Sequence, residues 1–381
     1  MKGIIMTEQS PPVVYFAGPR ARKAKESKIR KIAALFDAAG FHKIVDKDAL
    51  TAVKIHFGER GNDTFINPVF VRAVVDKVKK AGGLPFLTDS NTLYQGSRHN
   101  AVSHLQTALE HGFGYATVNA PIIISDGLRG GSFSEVAINK KHFASVKIAD
   151  AIVDSHSMIV MSHFKGHELA GFGGSIKNLA MGCAPSRGKC DQHASRFAVN
   201  TEKCIACGMC MANCPEKAIS WKSGDGMQFA FIDKALCVGC GECLTVCDPK
   251  AVAIDWATEI EPFNERMAEY ALGAVTGKQG RAGYFNFLMN ITPDCDCVPW
   301  SDAPLVPDIG ILASTDPVAL DKASYDLVNA QSGFPHSRLE HNHEPGQDKF
   351  TGTWAHTRGE VQFRHAESIG LGSVRYTLEE I

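Results

Sequence analysis

Two cysteine runs set 33 residues apart constrain this chain more than any other feature. Cys204-x2-Cys207-x2-Cys210-x3-Cys214-Pro215 is followed by Cys237-x2-Cys240-x2-Cys243-x3-Cys247-Asp248-Pro249, and every cysteine recurs at the same offset. The match continues into Lys217-Ala218-Ile219 and Lys250-Ala251-Val252, so the segment is an internal duplication. Three thiolates at two-residue gaps wrap one corner of a cubane, and the fourth thiolate of each run reaches across to the other cluster. The expectation is two [4Fe–4S] clusters, one on Cys204, Cys207, Cys210 and Cys247 and the other on Cys237, Cys240, Cys243 and Cys214. A pair of zinc knuckles is the competing reading, but zinc sites join two close ligands to two distant ones, and here a triple-plus-one spacing occurs twice. Gly208 and Gly241 lie inside the loops, where the backbone must turn tightly to aim N–H groups at sulfur.

On these motifs residues 201–256 resemble a two-cluster bacterial ferredoxin. One departure is Asp248, which separates the last cysteine of the second run from Pro249. The rest of the composition is ordinary: of 381 residues 44% are hydrophobic and 21% charged, with a formal net charge of −1. Such a balance advertises neither a nucleic-acid nor a membrane partner. The start Met1-Lys2-Gly3-Ile4-Ile5-Met6 is too short an apolar run for a signal peptide, and no later stretch is long enough to span a bilayer. A cytoplasmic location is therefore expected, where clustered thiols among the 12 cysteines are metal ligands rather than disulfides.

Strand-like and helix-like segments alternate before the cysteines. Val13–Phe16, Thr51–Ile55, Leu84–Thr88, Ile122–Ser125 and Met158–Met161 read as strands, and Lys23–Ala39, Pro68–Ala81 and Ser103–His111 as amphipathic helices. The pattern resumes at Pro307–Ser314 (strand) and Pro317–Asn329 (helix). This alternation predicts an α/β fold, with a layered, largely parallel-sheet host domain and an inserted α+β ferredoxin-like domain. The expected boundaries are 12–194 for the first part of the host, 195–257 for the insert and 258–330 for the second part. Residues 331–381, rich in His, Gly and polar residues, read as irregular cover over the core.

Outside the insert the chain resembles the DUF362 family of iron–sulfur-centre proteins, often fused to such a cluster module. The resemblance rests on Val53–Glu59, Thr88–Tyr94, Ser162–His167, Gly171–Cys183, Cys295-Asp296-Cys297 and Asp308-Ile309-Gly310. It implies a setting for the chemistry without supplying a reaction.

Polar residues lie at or just beyond the ends of three predicted strands: Lys54, His56 and Glu59; Asp89, Asn91 and Tyr94; Ser162, His163, Lys165 and His167. In parallel sheets that edge is where ligands bind. Any single histidine there is better explained as a core or surface residue satisfied by a hydrogen bond, whereas their convergence argues for a pocket. Gly171, Gly173 and Gly174 precede a helix over Ser175–Met181, where backbone N–H groups and Lys177 suit an anion. The candidate catalytic set is Lys54, His56, Asp89, Asn91, His163, Lys165, His167 and Lys177. Cys183, Cys190, His193, Cys295 and Cys297 are left over, and suggest a further metal site or a redox-active thiol beside the clusters.

The leading expectation is an iron–sulfur electron-transfer protein, an oxidoreductase whose clusters relay electrons to or from the polar site. It would serve a redox partner protein and a small anionic substrate. The alternatives are a non-enzymatic carrier or docking protein, and a metal-assisted non-redox enzyme with structural or sensory clusters. No dinucleotide fingerprint is present.

Overall fold

A computed structural model describes residues 10–194, 196–224, 226–237, 239, 241–255 and 259–381. Eight strands form one sheet: β1 (Val13–Ala17), β2 (Leu50–Lys54), β3 (Leu84–Asp89), β4 (Ile122–Ile124), β5 (Ser157–His163), β6 (Ala282–Leu288), β7 (Gly310–Ser314) and β8 (Thr377–Glu380). Their order is β8-β1-β7-β6-β5-β2-β3-β4. The five strands from β6 to β4 are parallel throughout. Strand β7 runs antiparallel to both neighbours, and β8 pairs parallel with β1. The fold is thus mixed α/β around a large, largely parallel sheet.

Strands β5 and β6 are buried at every residue, as expected of central strands covered on both faces. Alternation along β5 feeds two cores. Met158 and Val160 point into one with Phe263, Met267, Val318 and Leu320, from the helices Ile260–Val275 and Pro317–Asn329. Ile159 and Met161 point into the other with Ile32, Leu35, Val71 and Val74, from Lys28–Ala38 and Pro68–Lys80. Two of these helices start as their sequences prescribe: Asn67 and Asp316 cap the first turn, and proline follows each. Among the described residues no helix is long and apolar enough to cross a membrane.

Four parts of the chain differ from expectation. The first helix begins at Lys28, after a short 3-10 turn at Ala24–Glu26. Strand β6 and the helix Ile260–Val275 were not anticipated. Residues 331–381 are not irregular, since they hold the helices Lys349–Thr353 and Glu360–Ser368 and the edge strand β8. Phe350 and Phe363 from this stretch pack into the first core.

Residues 196–255 build a separate small core from Phe197, Ile219, Ala230, Ile232 and Val252 with the cysteines around them. Its two ends pair antiparallel, Arg196 opposite Asp255 and Val199 opposite Val252, so the chain leaves where it entered. The duplication is written in the backbone as well. Left-handed residues recur at the offset of 33, Ala206 with Gly239, Gly208 with Gly241 and Lys217 with Lys250, as do the short helices Met209–Ala212 and Glu242–Thr245.

Candidate functional site

Four adjacent parallel strands, β6, β5, β2 and β3, end on the same edge of the sheet, and the segments that follow them wall a cavity of about 640 Å³. His56 and Glu59 come from beyond β2, Asp89, Tyr94 and Arg98 from β3 and beyond, His163, Lys165 and His167 from β5 and beyond, and Cys295 and Cys297 from beyond β6. Lys177 enters from the helix Ser175–Ala180, and Lys189 and His193 from the helix Ser186–His193. Six of the eight expected residues line the cavity. Lys54 and Asn91 stand behind its wall.

Lys54 is fully buried and its Nζ lies 3.0 Å from Asp89 Oδ1 and 2.6 Å from Asn178 Oδ1. Arg98, also buried, approaches Asp89 Oδ2 at 3.5 Å. Burial alone would push the Asp89 carboxyl up, but the Lys54 ammonium, with the Arg98 guanidinium, holds it well below the usual carboxylate range. Asn91 donates from Nδ2 to Asp126 Oδ1 (2.9 Å) and to the Gly127 carbonyl (2.9 Å), a loop-fixing role. His163 is fully engaged: Nδ1 meets the Asp296 carboxylate at 2.8 Å and Nε2 the Met289 carbonyl at 2.9 Å. Lys165 adds a contact of 3.4 Å to Asp296 and donates to the His163 carbonyl. Although burial opposes it, His163 and Lys165 keep the Asp296 carboxyl far below its usual range. These residues lock the loop carrying Cys295 and Cys297 against β5.

His56 and His167 keep a ring nitrogen available. His56 Nδ1 accepts from the Gly58 amide (3.0 Å), and burial with Arg98 nearby holds the ring neutral. His167 Nδ1 accepts from the Leu169 and Ala170 amides, both at 3.1 Å, so the ring proton sits on Nε2. Burial, reinforced by Lys177, brings its pKa down to about 3. Lys177 Nζ lies 3.6 Å from Cys295 Sγ, and ligand-type atoms of His167, Cys295 and Cys297 lie within 4.8 Å of one another. The neighbouring Cys297 thiol brings the Cys295 thiol well below its ordinary pKa, with Lys177 and Lys165 adding to the effect against burial, and Cys297 is pushed up in turn.

The anion expected at the Ser175–Ala180 N-terminus is supplied by the protein. Asp321 accepts from the Ser175 and Ile176 amides at 2.7 and 2.8 Å, with Asn286 Nδ2 at 2.7 Å, and burial raises its pKa to about 6. Of the five leftover residues, Cys295 and Cys297 share one site. Cys183 is buried in the first core, Cys190 packs into the core of residues 196–255, and His193 packs tilted against Phe263 at the cavity wall.

The remaining thiols divide between two small apolar cradles. Cys204, Cys207, Cys210 and Cys247 line one, and Cys214, Cys237 and Cys243 the other; Cys240 lies outside the described residues. Amides point at two of the sulfurs: Ala218 N to Cys214 at 3.3 Å, and Ala251 N to Cys247 at 3.2 Å.

Arg98 and Lys189 escaped the sequence reading. Lys189 Nζ donates to Ser90 Oγ (2.7 Å), the Asn91 carbonyl (2.7 Å) and the Ala184 carbonyl (2.6 Å), and burial lowers its pKa to about 8. Arg98 pairs with Glu59 at 3.2 Å and donates to Tyr94 Oη at 2.8 Å, while Tyr94 Oη donates to the Cys297 carbonyl at 2.8 Å.

No curated protein matches this chain. Among solved structures, the lactate racemase apoprotein from Thermoanaerobacterium thermosaccharolyticum aligns over 73% of this chain at 10% identity, with a TM-score of 0.35. That alignment takes in 51% of the racemase, so the chain spans about half its length. The family model described as a domain of unknown function, DUF362, matches residues 51–326, and the chain belongs to that family.

Proposed function

We propose that the protein is an iron–sulfur electron-transfer protein whose residues 195–257 form an insert carrying two [4Fe–4S] clusters that serve the cavity of the α/β host. Cys204, Cys207, Cys210 and Cys247 would hold one cluster, and Cys237, Cys240, Cys243 and Cys214 the other. What supports this is that Cys247 faces the cysteines of the first run and Cys214 those of the second, the exchange of fourth ligands that two-cluster modules use. The amides directed at Cys214 and Cys247 suit thiolates bound to a cluster. When bound, such clusters supply single-electron transfer.

One observation carries the link to the cavity. The helix Ser186–His193 touches both places: Lys189 and His193 line the cavity, and Cys190 packs on Gly239, inside the Cys237–Cys243 loop. A Cβ at Gly239 would lie 2.5 Å from Cys190 Cβ and 2.8 Å from its Sγ, so the Cys190 side chain rests directly on the Gly239 backbone. Leu93, from the cavity wall, packs into the same small core. Electron transfer requires such proximity, whereas a freely diffusing carrier does not.

The test is a redox titration followed by electron paramagnetic resonance on the parent and on Lys189→Met. The Lys189 ammonium is charged at pH 7 and belongs to the residue next to Cys190. Its removal takes a positive charge away from the second cradle, so one of two midpoint potentials should fall while the other stays. Two unmoved midpoints would defeat the claim that cavity and clusters share an electrostatic environment.

A further inference from the structure

We infer that Cys295 and Cys297 form a two-electron dithiol–disulfide couple in the cavity wall, the place where single electrons are paired for a small two-electron substrate. The inference rests on the reading above for its electron source, but not for its geometry. The two sulfurs lie within 4.8 Å of each other on a turn closed by the Val298 amide and the Cys295 carbonyl at 3.1 Å. That turn is held from three sides. Asp296, between the two cysteines, is gripped by His163 and Lys165, Tyr94 binds the Cys297 carbonyl, and the Asp296 carbonyl accepts from the Glu59 amide at 2.9 Å. A disulfide needs this fixed approach of two sulfurs.

The groups around Cys295 select thiolate chemistry over a metal. Lys177 Nζ lies 3.6 Å from its sulfur, Lys165 stands close by, and His167 has only an N–H to offer because its Nδ1 accepts two amides. A histidine that ligates through Nε2 normally donates from Nδ1, which those amides prevent. Two ammonium groups beside the sulfur repel a dication and stabilise an anion. The arrangement is that of an activated thiolate, Cys295, with Lys177 against its sulfur and its resolving partner, Cys297, within 4.8 Å.

Oxidation forms the Cys295–Cys297 S–S bond, releases the Cys297 thiol proton to water in the cavity, and yields two electrons to two one-electron iron–sulfur carriers. Reduction takes two electrons and one proton and restores thiolate and thiol. Lys165 and Lys177 at the cavity wall favour an anionic substrate.

The holoprotein should be equilibrated anaerobically in dithiothreitol buffers of graded oxidised-to-reduced ratio, quenched in acid and alkylated with iodoacetamide under denaturing conditions. The peptide carrying residues 295–297 is then weighed. A single two-electron transition from the doubly alkylated form to an internal disulfide is expected. Cys297→Ser should abolish it, and Lys177→Met should shift the equilibrium toward disulfide by roughly tenfold, because the thiolate loses its cation. Both cysteines remaining alkylatable in every buffer would overturn the inference, as would stoichiometric zinc or nickel that is lost in Cys297→Ser. Iron and sulfide measured on the same samples judge the cluster reading separately: a thiol transition in iron-free protein keeps the couple and removes its assigned electron source.

Discussion

Changing Gly239 to Ala tests the contact that joins the cysteine-rich segment to the host. Gly239 has φ +70, and its added Cβ would meet Cys190 Sγ at 2.8 Å. The left-handed backbone costs a non-glycine residue about 1–2 kcal/mol. Forcing an extra carbon into a packed site adds about 1–3 kcal/mol. The total, about 2–5 kcal/mol, should fall on the Cys237–Cys247 region rather than on the sheet. The duplication supplies the control, since Ala206 occupies the equivalent position with φ 52 and already tolerates that backbone. Ala206→Gly should therefore change stability by less than about 1 kcal/mol. Anaerobic urea unfolding with peptide-resolved hydrogen exchange over residues 237–247 reads both changes. If Gly239→Ala matched the parent within about 0.5 kcal/mol, the packing of Cys190 on that loop would not be a structural junction.

Three further outcomes follow from other parts of the site. Lys54→Met leaves the Asp89 carboxylate buried with Arg98 at 3.5 Å as its nearest remaining cation, and should cost about 3–5 kcal/mol in urea unfolding; a loss below about 1 kcal/mol would show the pair to be dispensable. Burial depresses the folded-state pKa of His56, His104, His167 and His193 below 6.5, so their contribution is complete above about pH 6.5 and is lost as the unfolded state takes up protons below it. For His167 and His193 the loss continues down to about pH 3, and each histidine adds a slope of about 1.4 kcal/mol per pH unit; stability unchanged between pH 7 and 5 would contradict this. Cys214→Ser alters the cradle of the second run despite lying in the first, so its damage should appear in the signals that Cys243→Ser also removes and not in those removed by Cys207→Ser.

Much of the sheet was legible because its strands are short apolar runs bounded by turn residues, as in Val13–Phe16 and Met158–Met161. Strand β6 was not, since Asn286 interrupts its apolar run; that side chain is spent on Asp321 and Ser324, partners visible only in three dimensions. Nothing local marks β8, whose four residues are all exposed and which exists through its pairing with β1. The cavity was anticipated from polar residues at three strand ends. Which of them remain open to a ligand was not, because the partners that occupy Lys54 and His163 lie 124 and 133 residues further along the chain. Arg98 stands nine residues past its strand, and Lys189 on a helix whose approach to the sheet edge no local pattern encodes.

Anaerobic iron, acid-labile sulfide and trace-metal analysis of the purified protein, paired with electron paramagnetic resonance of the reduced form, tests the central claim most directly. The account predicts about eight irons and eight sulfides per chain with mutually interacting cubane signals. Zinc bound without sulfide would contradict it.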